Sequence, residues 1–229
     1  MPSSTQALIG SLLLIAAPAA WSLPSDQLPA PGASSAGASG AHNAAAVTAY
    51  NAGVATLKRA DALDAKAAGG ADSLVPATDA AARRAYGEAR AHFEEATRRD
   101  PSLAEAWNDL GYSRRKLGDY EPALAAYAHA LALKPDFPAA LEYRGEAYLR
   151  LNRLEDAKQS YMDLFVSDRT VAGRFLEVMK RWVGTAQAHP PAGVDPGAVA
   201  ALGKWVDERA HIAGETAALT RAGTAASWR

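Results

Sequence analysis

The residue types that most often carry metal or nucleophilic chemistry are sparse in this chain of 229 residues, which has five histidines and no cysteine. No two histidines stand four residues apart, so no pair on one helix face could hold zinc. The absence of cysteine excludes disulfides, thiolate metal ligands and thiol nucleophiles. We therefore predict no metal site.

Paired acidic residues occur at Glu94-Glu95 and at Glu155-Asp156. Neighbouring residues on a helix point to different sides, so neither pair predicts a general acid and base that act together. The sequence also lacks a glycine-rich phosphate loop, a nucleophile elbow and a spacing that indicates a Ser-His-Asp triad. We predict that the chain is not an enzyme, and we identify no catalytic residue and no cofactor.

The charge balance limits the kinds of partner that we expect. The chain has 24 Lys and Arg residues and 25 Asp and Glu residues, for a net charge of −1. Binding to nucleic acid needs a surplus of basic charge on one face, so we do not expect a nucleic-acid partner. The hydrophobic fraction is 49%, and alanine, the best helix former, supplies much of it. The composition predicts an all-helical fold.

The N-terminus has the pattern of an export signal. Residues 8–17 form an apolar run of secretory length that is too short to span a bilayer, and Pro18 breaks it. Ala20 and Ser22 then supply the small residues of a cleavage site before Leu23. We predict a signal peptide at 1–22, export to the periplasm, and no stable membrane insertion after cleavage. The segment before the apolar run has no Lys or Arg, so a cytosolic protein with an apolar start is the alternative.

Three later segments line up at one fixed offset of 34 residues. Tyr86, Tyr120 and Leu154 are in register (120−86 = 154−120 = 34). The same offset relates two further sets, which are Ala89, Ala123 and Ala157, and Phe93, Tyr127 and Tyr161. A 34-residue period is typical of a helix–turn–helix unit, so it predicts helix pairs stacked side by side.

One unit contains nearly a whole family signature. Within residues 104–137 the matching positions are Trp107, Leu110, Gly111, Leu117, Gly118, Tyr120, Ala123, Tyr127, Ala130 and Pro135. The chain here resembles the tetratricopeptide-repeat family. Residues 138–171 keep much of the pattern, although Arg169 stands in place of the closing proline. The resemblance implies an all-α fold, a short right-handed α-solenoid of tetratricopeptide helix pairs with C-terminal capping helices.

The pattern predicts tight packing in the middle unit. Small residues such as Gly111 allow two helices to approach closely, and large residues such as Trp107 fill the gaps between them. We therefore predict that Trp107 is buried, and that Trp107→Ala destabilises the fold by about 3–5 kcal/mol.

The first unit is longer than the others. Gly53 and Ala89 are 36 residues apart (89−53), whereas the equivalent Gly111 and Ala123 are 12 apart (123−111). We interpret the difference as a lengthened helix and a loop at 69–77. The alternative is that residues 44–67 form an unrelated helix packed on the end of the repeats.

The whole chain can then be divided into segments. We predict a disordered linker at 23–42, because its Pro, Gly, Ser and Ala residues cannot bury a core. The repeat domain covers 43–183, with units at about 43–103, 104–137 and 138–171 and a capping helix at 172–183. Residues 184–229 contain a Pro-rich connection, a helix that begins at Asp195, and a frayed tail.

In the family, the first helix of each unit lines a concave groove that holds a partner. The resemblance assigns this role to seven residues of the middle and last units: Asn108, Tyr112, Arg115, Lys116, Glu142, Glu146 and Arg150. In the first unit it assigns the role to Tyr50, Val54, Leu57 and Lys58. We expect Tyr112, Arg115, Glu146 and Arg150 to be exposed and to matter little for stability. These residues could also be no more than the polar side of amphipathic helices.

The resemblance implies a non-catalytic protein–protein interaction module, an adaptor or scaffold that binds a peptide or protein partner in this groove. The family's clamp for a C-terminal carboxylate is not expected, because Glu142 and Glu146 would repel that ligand although Asn108 fits. Two alternatives stay open. One is an enzyme or enzyme subunit with its site in the 68–78 loop or the 184–229 tail. The other is a self-assembly element that pairs through a solenoid end.

Overall fold

The computed structural model describes residues 43–68 and 74–226. Every regular element in these two ranges is an α-helix. The helices are α1 (Ala44–Ala68), α2 (Ala80–Arg99), α3 (Ala104–Leu117), α4 (Tyr120–Leu133), α5 (Pro138–Arg150), α6 (Leu154–Ser167), α7 (Arg169–Ala188) and α8 (Pro196–Ala226). The predicted signal peptide and linker lie outside the described residues.

The helices pack as consecutive pairs, α1 with α2, α3 with α4, and α5 with α6, and each pair also packs on the next. The first helices form a series in which each contacts the next, in the order α1, α3, α5 and α7. We call the side of the stack that they form the groove face. The all-α stack of tetratricopeptide helix pairs that we expected is confirmed.

Glycines set the spacing within the first two pairs. An added Cβ at Gly111 would stand 2.5 Å from the Tyr127 ring, and one at Gly53 would stand 2.5 Å from the Phe93 ring. Only a residue without a side chain allows the aromatic ring of the second helix to approach the first helix so closely. The two pairs share this packing, which favours α1 as the first helix of a repeat over an unrelated helix on the end.

The third pair departs from this arrangement. An added Cβ at Gly145 would stand 2.4 Å from the Phe175 ring on α7, a residue outside its own pair. Tyr161, the equivalent of Tyr127, instead packs edge-on against Trp205 of α8, with 5.3 Å between the ring centroids. The C-terminal helices α7 and α8 therefore complete the core of the last repeat.

The loop between α1 and α2 is fastened to the middle repeat. Leu74 is buried among residues of the main core. The backbone N–H of Ala77 donates to the carbonyl of Lys116 at 2.9 Å, and the Lys116 ammonium donates to the carbonyl of Val75 at 3.2 Å. The last residues of this insertion therefore close over the end of α3.

The C-terminal helices are longer than predicted. α7 spans Arg169–Ala188 where the pattern predicted 172–183, because the Asp168 carboxylate accepts from the backbone N–H groups of Thr170 and Val171 and caps the helix earlier. Asp195 caps α8 as expected, accepting from the N–H of Gly197 at 3.1 Å. α8 continues to Ala226, past the point at which we expected the chain to fray. None of the described helices is both long and apolar enough to cross a bilayer.

Trp107 is partly exposed, so our prediction of a fully buried side chain is wrong. Its indole N–H donates to the carbonyl of Pro101 at 2.9 Å, and its ring stacks on His129 with 4.3 Å between centroids. The ring therefore lies at the edge of the helix pair. We now expect Trp107→Ala to destabilise the fold by less than the roughly 3–5 kcal/mol typical of buried aromatics.

Candidate partner-binding groove

Helical spacing determines which side chains of α3 lie on the groove face. On α3 the residues Glu105, Asp109, Tyr112 and Lys116 follow one another at intervals of four, three and four, which places them on one side of the helix. Leu110 and Gly111 point the other way, into the core. The same helix thus supplies both the packing surface and the polar groove surface.

An ion pair between adjacent first helices occupies the centre of this face. The Arg115 guanidinium of α3 lies 2.8 Å from the Glu146 carboxylate of α5, and each residue is only 2% exposed. The guanidinium also lies 5.2 Å from the ring centre of Tyr112 and 5.3 Å from that of Tyr143. Arg115 therefore lies beside two neighbouring aromatic rings, where cation–π attraction adds to the ion pair.

The phenols around this pair remain neutral hydrogen-bonding groups. Burial, together with the Asp61 charge, raises the pKa of Tyr112, and burial raises the pKa of Tyr127 against the opposing effect of Arg115. Each hydroxyl therefore keeps its proton at physiological pH and can donate a hydrogen bond.

A second buried pair joins α3 to α1. The Lys116 ammonium lies 2.6 Å from the Asp64 carboxylate, and both residues are buried. Lys116 therefore binds the extended end of α1 and, through Val75, the loop that follows it. The role of Lys116 is therefore to hold the insertion in place.

A third pair lines an open depression between α5 and α7. Arg174 of α7 donates to the Glu142 carboxylate at 3.3 Å. Burial raises the pKa of Glu142, and the hydrogen bond from Arg174 opposes that rise. Tyr143 and Glu177 line the same depression, and Glu177 is exposed. A ligand could reach the groove face here.

Two further carboxylates of the groove face, Asp61 and Asp109, have neutral partners. Asp61 on α1 accepts hydrogen bonds from the hydroxyls of Tyr86 at 2.7 Å and Tyr112 at 3.0 Å. Asp109 on α3 accepts from the Asn108 amide at 2.9 Å. Burial is the main cause that raises the pKa of Asp109 from 3.8 to about 6, and the charges of Glu105 and Asp61 add to it.

The exposure that we expected of four groove residues is wrong for Arg115 and Glu146, and it holds in full only for Arg150. Asn108, Arg115, Lys116, Glu142 and Glu146 are buried, and Tyr112 is half-buried. The physical reason is that opposite charges on neighbouring first helices pair with each other and with the extended α1. The fold therefore uses these charges to join its own helices, because a buried charge needs a partner.

Arg150 is exposed as expected but stands apart from the others. Its guanidinium lies 5.7 Å from the ring centre of Tyr120 and donates to that hydroxyl at 3.1 Å. Tyr120 begins α4, so Arg150 contacts the turn between α3 and α4. Within the described residues, no ion pair or side-chain hydrogen bond joins Arg150 to Arg115 or Glu146.

Sequence reasoning missed three residues that the groove face contains. Asp109 and Tyr143 are 34 residues apart (143−109), so the repeat offset could have identified them as equivalent positions. Asp61 lies in the extra turns of α1, which have no counterpart in the other units. The repeat pattern carried no signal for it.

Two family models match this part of the chain. The model described as TPR repeat matches residues 111–152, and the one described as Tetratricopeptide repeat matches residues 76–127. Together they extend from the α1–α2 loop to the end of α5. Residues 76–152 are thus similar to tetratricopeptide repeats, and such repeats generally mediate protein–protein interaction without catalysis. A search of curated proteins gives no significant match.

Proposed function

We propose that this protein is a non-catalytic adaptor or scaffold that binds an extended peptide segment of a protein partner along its groove face. The observation that carries the proposal is the row of half-buried polar and aromatic side chains on adjacent first helices. Asp61, Asp109, Tyr112 and Tyr143 come from α1, α3 and α5 and offer hydrogen-bond acceptors beside flat rings. Tyrosines in such surroundings often dominate interface energy.

Three ion pairs between neighbouring first helices support this function indirectly. Arg115–Glu146, Lys116–Asp64 and Arg174–Glu142 hold successive first helices in place. A groove whose walls are held before binding loses less entropy when a ligand arrives. We assign these charged residues the role of positioning the groove, and we assign direct contact to the half-buried residues between them.

We also propose that the protein is exported and acts in the periplasm. The support is the apolar run at residues 8–17 and the small residues before Leu23. The partner would then be an envelope protein.

Site-specific photo-crosslinking in the full-length chain tests the groove proposal. The crosslinking amino acid replaces Glu177, which is exposed and lines the depression between α5 and α7. The matched control replaces Val166, which is 87% exposed on α6, away from the first helices. We expect a defined partner adduct from position 177 that is absent from position 166. Adducts at position 166 with none at position 177 would overturn the proposal.

A further inference from the structure

The groove face carries two half-buried carboxylates that no cation of the described residues neutralises. Glu146, Asp64 and Glu142 are each paired with a lysine or arginine. Asp61 and Asp109 have no lysine, arginine or histidine within ion-pair distance in residues 43–68 and 74–226. The two acids lie in one region, because Asp61 accepts from the hydroxyl of Tyr112, which follows Asp109 by one turn of α3.

These two carboxylates are nevertheless fixed in position. Two phenols hold Asp61, and the Asn108 amide holds Asp109. Neutral donors orient a carboxylate without cancelling its charge. Each carboxylate retains oxygen lone pairs that can accept further hydrogen bonds.

The Asn108 amide adds an independent observation. Asn108 is 4% exposed and donates to Asp109, yet its own amide oxygen, which is enclosed by the protein, has no donor within the part of the chain that the structure describes. Buried polar atoms are nearly always hydrogen-bonded, so an acceptor left without a donor needs a reason. The hydrogen bonding around Asp109 is therefore incomplete in the free protein.

The chain itself shows which chemistry suits these surroundings. Arg115 lies beside the rings of Tyr112 and Tyr143 and pairs with Glu146. Asp61 accepts a hydrogen bond from the same Tyr112. A second cation near Asp61 and Asp109 would meet the same combination of carboxylate and tyrosine ring.

We propose that the groove face recognises a basic segment, and that a lysine or arginine side chain of the partner binds at Asp61 and Asp109. This inference rests on the proposed function and adds the chemical class of the bound segment. An arginine fits best, because its planar guanidinium offers five N–H donors to several oxygens at once.

The raised pKa of Asp109 agrees with a role in binding. Burial without a cation disfavours its charged form in the free protein. A partner cation would relieve that unfavourable state on arrival. A residue that opposes folding but assists binding is expected at a functional site.

Panning a random peptide library on the full-length protein tests the inference. Peptides of about twelve residues are displayed and selected at about 0.15 M salt, where long-range attraction between exposed charges is screened. Selected peptides are synthesised together with versions in which glutamine replaces each lysine and arginine. We expect the selected sequences to be rich in arginine and lysine, and their glutamine versions to bind about tenfold more weakly or worse.

Two aspartate variants then locate the contact. Asp109→Asn removes the charge but keeps the shape, and Asp207→Asn makes the same change at an exposed site on α8. We expect Asp109→Asn to weaken binding of the basic peptides about tenfold, and Asp207→Asn to leave it within about twofold. Thermal melts of both variants at pH 7.5 separate loss of binding from loss of folding.

Three results would overturn the inference. Neutral or acidic peptides that bind the groove face would refute the basic segment and leave the proposed function standing. Basic peptides that bind both aspartate variants equally would show general charge attraction in place of a site. Failure to select any peptide, or selection of peptides that bind only to α8, would remove the proposed function as well.

Discussion

Arg115 and Glu146 lie on adjacent first helices and meet where almost no water reaches either of them. Removing one member of such a pair leaves the other charge buried and uncompensated. Arg115→Ala should therefore lower the free energy of unfolding by about 3–5 kcal/mol, which urea denaturation would measure. This replaces our sequence-based expectation that Arg115 matters little for stability.

The matched comparison is a pair on the surface. Arg98 pairs with Glu95 on α2, and its side chain is 69% exposed. Arg98→Ala should change the free energy of unfolding by no more than about 0.5 kcal/mol. Equal effects of the two substitutions would show that Arg115 is not a buried partner of Glu146.

Asp109 gives the fold a pH dependence. Its pKa is about 6 in the folded protein and 3.8 ordinarily, so this carboxylate binds a proton more strongly in the folded protein than in the unfolded chain. The stabilisation that a protonated Asp109 gives to the folded protein is fully present below about pH 4 and is lost as the pH rises through about 6. Asp109→Asn should therefore stabilise the protein by about 1–3 kcal/mol at pH 7.5, with little difference left at pH 4.

Chemical denaturation of the wild type and Asp109→Asn across this range measures the effect. Asp207→Asn serves as the control, since Asp207 is exposed on α8. A constant difference between wild type and Asp109→Asn at every pH would contradict a raised pKa at position 109.

At the scale of the helices, replacing glycine by alanine should have opposite effects on stability at two positions. An added Cβ at Gly111 meets the Tyr127 ring at 2.5 Å, whereas one at Gly87 on α2 meets no atom within 4 Å. Gly111→Ala should destabilise by about 1–3 kcal/mol through overpacking. Gly87→Ala should stabilise by about 0.5–1 kcal/mol, because alanine favours a helix. Thermal melts that place both variants on the same side of wild type would contradict this packing.

The helices could be predicted from the sequence because their signals are local or periodic. The 34-residue offset gave the alignment of Ala89, Ala123 and Ala157, and all three are fully buried. The offset could not show that Phe175 would pack on Gly145 or that Tyr161 would face α8. Those contacts depend on helices that follow the last repeat and are not themselves part of the period.

The groove could be predicted less well than the helices. Family positions identified Tyr112, Arg115 and Glu146 as residues that line the groove, and the structure brings them together. The positions carried no information on charge pairing between neighbouring units, which buries Arg115 and Glu146. Asp61 was missed because it belongs to an extension that only this first unit has.

For the whole molecule, we predict that the mature chain begins near Leu23. The apolar run at residues 8–17 and the small residues Ala20 and Ser22 predict cleavage at that point. Intact-mass measurement of the protein recovered from the envelope of an exporting host would establish the N-terminus. A mass that retains residues 1–22 would contradict export by signal cleavage.

The position of a bound segment on the folded protein tests the central claim most directly. Hydrogen–deuterium exchange is measured on the full-length chain with and without a saturating basic peptide selected by panning. We predict slower exchange in α1 (44–68), α3 (104–117) and α5 (138–150), whose residues line the proposed site on the groove face, with α8 (196–226) unchanged. Protection confined to α8, with α3 and α5 unaffected, would contradict a partner-binding groove.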